Sequence, residues 1–416
     1  MLLGVRERKG RLSRLRGAVW VLAVVWCASV AAPARAQETR AAEIASKQEE
    51  KAANLQPYQP SRFEAVMNRL EQNFASPPDG FYPAFGSVYP GGGLTLGVGY
   101  RQFYSRKAVW DITGLYSIKN YKQIEVGTRT PWNFDGRWFL ATRAGWFDAP
   151  QIGYFGLGMD NVTDDRANYR ISQGYAGATV SFRPTRWTRL EADVAYEDIK
   201  TDQGLGRSPS IETRYTAATA PGLFSATGDF LHPTYIHSAA TAAIDWRTSP
   251  GYSRKGGFYG ATLVDYRDVD DVNSFRRVDG EIIQHIPILR QNWVISLRGR
   301  VQSTLNDDDL VPYFLLPSLG SGRTLRAYQT GRFRDRHSLL TTAELRWIPN
   351  RLGLDMALFY DAGKVTARRE DLDFSNLESD WGIGARFHGP TTTILRIEAA
   401  RGREGWHLVF TTNAAF

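Results

Sequence analysis

Residues 93–101 read Gly93-Leu-Thr-Leu-Gly-Val-Gly-Tyr-Arg101, and their period is two. Leu94, Leu96, Val98 and Tyr100 point one way while Thr95, Gly97, Gly99 and Arg101 point the other, the pattern of an extended strand with two unlike faces. The alternation recurs down the chain. Leu190, Ala192, Val194 and Tyr196 alternate with Arg189, Glu191 and Asp193, and Trp293, Ile295 and Leu297 with Ser296, Arg298 and Arg300. At the far end Trp406, Leu408, Phe410, Thr412, Ala414 and Phe416 alternate with His407, Val409 and Thr411. One face is aliphatic or aromatic; the other is Gly, Thr, Ser or charged.

Periodicity alone fits a soluble sandwich with its apolar face inward as well as a membrane barrel with that face outward. Three features favour the barrel: an export signal (below), strands near ten residues, and an aromatic-alternating strand at the end of the sequence. A bilayer accepts only helices or closed barrels, because every backbone N–H and C=O must find a partner. Sixteen segments fit, from 93–104, 108–117, 121–130, 137–147 and 152–159 to 391–400 and 405–416. Connections after even-numbered segments are short, such as Lys119-Asn120, Asp148-Ala-Pro-Gln151 and Arg183-Pro-Thr-Arg186, whereas the longest, 198–233 and 305–337, follow odd-numbered ones. Short periplasmic turns and long external loops are the asymmetry of an outer-membrane barrel. The expectation is therefore an all-β membrane protein, a 16-stranded antiparallel transmembrane β-barrel with a short N-terminal helical leader, spanning 80–416.

Upstream, Arg6, Arg8, Lys9, Arg11, Arg14 and Arg16 precede the apolar run 18–26 and the small-residue site Ala34-Arg35-Ala36, so 1–36 reads as a signal peptide cleaved before Gln37. The alternative is an uncleaved anchor. The whole chain has 51 Lys+Arg, 43 Asp+Glu and a net charge of +8. The signal takes seven basic residues and one acid with it, leaving a net of about +2 and no argument for a nucleic-acid partner. The lone Cys27 closes the apolar run directly behind Trp26, which does not suit lipidation, so the remaining chain has no thiol for disulfides or metals.

Residues 37–79 are the expected periplasmic leader. The stretch 37–60 is polar and reads as a weak helix or a linker. Ser61-Arg-Phe-Glu64 is a capping box, followed by Phe63, Val66, Met67, Leu70 and Phe74 on one helical face until Pro77-Pro78. That helix is either docked in the barrel or a solvated tether.

The stretch Val311 to Val365 resembles the BamA/TamA family of outer-membrane assembly and secretion barrels, bacterial surface antigens. The residues that carry the resemblance are Pro317-Ser-Leu-Gly320, Leu325-Arg326-Ala327-Tyr328, Gly331-Arg-Phe-Arg-Asp335, Ala343-Glu344-Leu-Arg-Trp-Ile-Pro349 and Phe359-Tyr360-Asp361-Ala-Gly363. Gly80-Phe-Tyr-Pro-Ala-Phe-Gly86 and Tyr154-Phe-Gly-Leu-Gly158 are similar more weakly. The resemblance implies that Arg326 is the tip of a sixth external loop folded into the lumen, with Glu344 and Asp361 as its partners. Leu325, Ala327, Tyr328, Gly331, Arg334 and Asp335 would complete the loop motif. It also implies a weakly paired seam between 93–104, beginning at Gly93, and 405–416, with Trp406, Leu408, Phe410 and Phe416 marking the terminal strand. Two features depart from the family: Ala327 stands where a glycine is usual, and 37–79 is too short for a POTRA repeat.

The residue pattern supports the ion cluster independently. Glu344 alternates with Ala343, Leu345 and Trp347, and Asp361 with Tyr360, so both carboxylates should face the lumen. An arginine there needs a fork of oxygens, which two carboxylates supply. Three separate charges in lumenal water are the plain alternative.

Other motifs carry nothing. Asp268, Asp270, Asp271 and Asn273, and Asn306 to Asp309, lack calcium-loop spacing. The six histidines show no metal spacing, and no G-x-S-x-G elbow or phosphate loop is present. The expected function is non-enzymatic and without a cofactor: insertion or translocation of polypeptides or lipids at the outer membrane. Its partners would be outer-membrane lipid, lipopolysaccharide, client polypeptides and other assembly factors. A passive channel gated by the sixth loop is the main competing function; a hydrolase or a purely structural barrel has less in the sequence to support it.

Overall fold

Hydrogen bonding joins the alternating segments into one antiparallel sheet. In chain order its strands are β1 Gly80–Phe85, β2 Thr95–Phe103, β3 Val109–Ser117, β4 Lys122–Arg129, β5 Trp138–Tyr154, β6 Ala167–Phe182, β7 Thr188–Gln203, β8 Thr234–Asp245, β9 Gly256–Asp268, β10 Phe275–Ile288, β11 Trp293–Thr304, β12 His337–Trp347, β13 Leu354–Thr366, β14 Glu378–His388, β15 Thr393–Gly402 and β16 Gly405–Thr411. Each pairs with its sequence neighbour, so the sheet is an up-and-down meander of sixteen strands. The computed structural model describes residues 42–50 and 79–416 except 106–107, 134, 221, 226, 290–291, 307–310, 350–352, 390 and 413. The expected signal peptide and the helix begun by the 61–64 capping box lie outside the described residues. By its internal contacts the chain divides into units 1–61 and 62–416, and a helix over 42–50 is what is described of the first.

The faces of the sheet decide between sandwich and barrel. The alternating aliphatic and aromatic residues are the exposed ones: Val98 is 61% and Leu408 63% exposed. The charged residues of opposite parity are buried, Asp361 at 0% and Glu398 at 1%. A sandwich would reverse this. An apolar exterior around a charged interior is what a lipid-embedded barrel requires. Among the described residues no helix is long and apolar enough to cross a membrane.

The strand total agrees with expectation through two offsetting differences. Gly80–Phe85, not expected as a strand, is β1 and pairs with β2 through Pro83↔Val98. Proline has no N–H to give a ladder, so it hides a strand in sequence, yet an outermost strand tolerates it. Conversely, 137–147 and 152–159 are not two strands. β5 runs through Asp148-Ala-Pro-Gln151 with a register shift between Ala149 and Ile152, a bulge where Pro150 suggested a turn. The bulge is pinned from the neighbouring connection: Tyr121 Oη donates to the Gln151 carbonyl at 2.9 Å, and Gln151 Nε2 donates to the Lys119 carbonyl at 3.1 Å. Lys119-Asn120 therefore lies at the same end as the long connections 204–233 and 305–336.

The seam differs accordingly. Gly93 lies in the connection before β2, which is flanked by β1 and β3, so 93–104 does not meet the last strand. The two edges of the sheet are β1 and β16, and among the described residues no ladder joins them. β16 also stops at Thr411. Trp406, Leu408 and Phe410 lie on the exposed face as expected, but Phe416 does not continue it. Its ring lies parallel to the inward-facing His285 at 6.0 Å, with the Arg298 guanidinium 5.8 Å from its centre.

Candidate functional site: an arginine clamp inside the sheet

The connection 305–336 is the sixth at its end, and it folds inward. Its base is a two-residue ladder, Ser318↔Arg334 and Leu319↔Phe333. Gly320 and Gly331 both take positive φ, +96° and +70°, and the Gly331 N–H bonds the Gly320 carbonyl at 2.9 Å, closing the turn. Leu325, Tyr328 and Phe333 are buried against Leu340, Phe359, Val365 and Ala400 of the sheet. An apolar loop plugged against an otherwise charged wall loses water, and that dehydration strengthens every ion pair made beside it.

Arg326 is at the centre. Its Nε donates to Asp361 Oδ2 at 2.7 Å and its Nη2 to Oδ1 at 3.2 Å, a two-pronged pair. Nη1 reaches Glu398 Oε1 at 3.2 Å and Glu344 Oε2 at 3.4 Å. The Phe359 ring lies 3.6 Å from the guanidinium carbon, and Thr342 Oγ1 donates to Asp361 Oδ1 at 2.8 Å. Burial opposes the Arg326 charge, but Asp361, Glu398 and Glu344 outweigh it and hold its pKa above the ordinary arginine value.

The structure thus brings Arg326, Glu344 and Asp361 together and adds residues that the sequence did not single out. Glu398 of β15 is the third carboxylate. Arg386 of β14 donates from Nη1 to Glu344 Oε1 at 2.5 Å, from Nη2 to the other Glu344 oxygen, and to Glu398 Oε1 at 3.1 Å. Arg396 approaches Glu398 at 3.5 Å and donates to the Gly322 carbonyl of the loop at 2.6 Å. The Ala327 N–H bonds Asp380 Oδ2 at 3.0 Å, and the Arg326 carbonyl accepts from His407 Nδ1 at 3.0 Å. Arg396 and Glu398 show the inward parity in sequence, but so do many lumenal charges; only strand register reveals which ones converge.

The rest of the loop motif secures the base. Ala327 is not among the residues of positive φ, so the position needs no glycine here. Tyr328 Oη donates to Glu378 Oε1 at 2.5 Å and accepts from the Arg403 N–H at 3.1 Å, while its ring lies where a side chain on Gly402 would collide. Arg334 Nη1 donates to the Tyr313 carbonyl at 2.7 Å, and the Arg334 carbonyl accepts from Gly158 at 2.9 Å. The Asp335 N–H bonds the Pro317 carbonyl at 3.2 Å, and burial raises the pKa of its carboxyl. One loop therefore touches β12, β13, β14, β15 and β16 at once.

A second inward connection closes the opposite end. The β8–β9 connection, 246–255, reaches across to β12–β15. Tyr252 Oη donates to Asp355 Oδ2 at 2.5 Å, its ring stacks on His388 at 3.7 Å, and His388 Nε2 lies 3.1 Å from Asp355 Oδ1. The Gly251 carbonyl accepts from the Thr393 N–H at 3.0 Å, and Arg346 donates to the Ser253 carbonyl. Among the described residues no group of His, Cys, Asp or Glu is gathered for a metal ion. Asp268 is occupied in its own turn, accepting from the N–H groups of Asp270 and Asn273.

Exposed apolar residues around a buried, charged interior packed by its own connections are the marks of an outer-membrane β-barrel. The Omp85 superfamily domain matches residues 108–401, more than two thirds of the chain, and the chain belongs to that superfamily. Among solved structures, BamA from Haemophilus ducreyi lacking POTRA domains 1–3 is similar at a TM-score of 0.57 and 13% identity, covering 80% of this chain and 68% of that one. CdiB from Escherichia coli is similar at a TM-score of 0.53 and 12% identity, covering 80% of this chain and 60% of that one. At such identity the likeness is one of fold. The chain spans about six-tenths of the CdiB length, and no curated protein sequence matches it.

Proposed function

We propose that this barrel assists the insertion or translocation of polypeptides at the outer membrane, with 1–36 as a cleaved signal, 37–79 as a periplasmic leader and 80–416 as the barrel. The observation that carries the reading is the combination of two sheet edges, β1 and β16, that no ladder joins among the described residues, with a loop that clamps the four strands leading up to β16. A free edge presents unpaired N–H and C=O groups, which in lipid are satisfied only by another strand. A client hairpin can supply that strand, adding to the edge and then budding off as its own sheet closes. The chemistry is backbone pairing, so it requires no catalytic side chain and no cofactor. The interior packed by 305–336 and 246–255 argues against an open solute pore.

The test is depletion in the native cell, with quantification of outer-membrane and secreted proteins and complementation by wild type or Arg326→Ala. Loss of a defined set of barrel or secreted proteins, restored by wild type and not by the variant, is the expected outcome. An unchanged proteome with altered solute uptake would overturn the proposal in favour of a channel.

A further inference from the structure

The outward face of β6–β10 is not uniformly bulky. Register places Leu190, Ala242, Ala261 and Gly280 in one row across β7–β10, and Ala192 and Ala240 side by side in the next. Ala192, Ala240, Ala242 and Ala261 floor an outward trough of about 540 Å³. Leu263 and Val278 form one wall, and Trp138, stacked on Phe182 at 4.3 Å, forms the other. Among the described residues nothing fills it. In lipid a depression like this is occupied by whatever packs best, because hydrophobicity does not discriminate among apolar neighbours.

The end of the trough carries the discrimination. Arg137 precedes Trp138 and Arg183 follows Phe182, and the Arg183 N–H bonds the Arg137 carbonyl at 2.8 Å. Arg186 lies in the same connection. The Arg183 guanidinium is 3.9 Å from the Trp132 ring and that of Arg186 4.2 Å from the Trp187 ring, so both are stacked at the aromatic rim. Among the described residues none of the three arginines has a carboxylate partner. The nearby acids Glu191 and Asp245 are already paired with Arg189 and Arg247. Uncompensated arginines at an aromatic girdle face the depth at which phosphate headgroups lie.

This end is opposite the connection 305–336 and carries both sheet edges' termini, so in the outer-membrane reading it is periplasmic. We infer that the trough and Arg137, Arg183 and Arg186 form a binding site for an anionic phospholipid of the periplasmic leaflet, acyl chains over Ala240 and Ala242 and phosphate on the arginines. The inference rests on that reading of the chain as an outer-membrane barrel. Such a lipid would brace β5–β9 from outside, opposite the connections 204–233 and 305–336 that pack against them from within.

The experiment uses the full chain purified in mild detergent and stripped of lipid, with phosphatidylglycerol and phosphatidylcholine of identical chains titrated by native mass spectrometry. Phosphatidylglycerol is expected to bind more tightly. Arg183→Gln with Arg186→Gln is expected to weaken it by about 25-fold, at about fivefold per basic residue. Ala240→Leu with Ala242→Leu, which fills the trough and leaves the charges, is expected to abolish the preference, while both variants keep the heat-modifiable gel mobility of a folded barrel. Equal binding of the two lipids, unchanged affinity in both variants, full competition by inorganic phosphate, or a dimer lost on filling the trough would each overturn the site. A chain absent from the outer-membrane fraction would instead overturn the reading beneath it.

Discussion

Asp361 receives two prongs of Arg326 from 35 positions earlier in the chain, and both side chains are buried. A pair so dehydrated is costly to break from one side, because the partner left behind stays charged and buried. Among the described residues Arg326 is also the only loop side chain that meets carboxylates of β12, β13 and β15 together, so it ties three strands through a single guanidinium.

Arg326→Ala should therefore destabilise the docked loop by about 3–5 kcal/mol. The readout is a lower temperature for the gel-mobility shift, with new protease cleavage within 305–336. Arg326→Lys should recover little, since an ammonium cannot fork to Asp361 while also reaching Glu398. Full stability in Arg326→Ala would mean that the apolar contacts of Leu325, Tyr328 and Phe333 suffice alone.

Glu398→Gln should be as damaging as Glu344→Gln, although only Glu344 belongs to the recognisable motif. Glu398 lies within 3.5 Å of Arg326, Arg386 and Arg396, so neutralising it leaves three buried cations short of charge. Thermal shifts of the two variants, compared side by side, decide this. A silent Glu398→Gln would confine the clamp to the motif residues.

Phe81→Cys with Leu408→Cys places thiols on the outward faces of the two sheet edges in a chain whose lone native cysteine, Cys27, lies in the expected signal peptide. Oxidative cross-linking in the membrane should form in high yield when the edges meet, and should abolish client assembly while heat-modifiable mobility is retained. Activity that survives complete cross-linking would exclude the edges as the site of insertion.

Wild-type barrels reconstituted in planar bilayers should conduct weakly, because both ends of the interior are occupied. Tyr252→Ala removes the hydrogen bond to Asp355 and the stack on His388, and should raise conductance, as should deletion of 305–336. The two together should exceed either alone. Large conductance from the unmodified chain would show that neither connection seals the lumen.

The sequence made the lipid-facing and lumenal parities legible because a bilayer imposes them residue by residue, from Leu94 to Phe410. The clamp was half legible. Arg326, Glu344 and Asp361 sit in recognisable local motifs, whereas Arg386, Glu398 and His407 lie in unremarkable alternating strands and acquire their role from register alone. Proline misled twice, in opposite directions: Pro83 concealed an edge strand, and Pro150 made a bulge look like a turn. Phe416 has the parity of a lipid-facing residue, but beyond Thr411 no ladder holds that parity, and the ring packs inward instead.

The clamp does not stiffen the sheet evenly. β12–β15 are locked to a common arginine cluster, and His407 ties β16 to the loop backbone, whereas β1 is six residues long and carries Pro83, which has no N–H for a ladder. In the proposed insertion, the border at β16 would be a fixed jamb and that at β1 a yielding sill. An arriving strand would then take its alignment from the jamb, whose register the arginine cluster holds, and its room from the sill, which would yield as more strands accumulate.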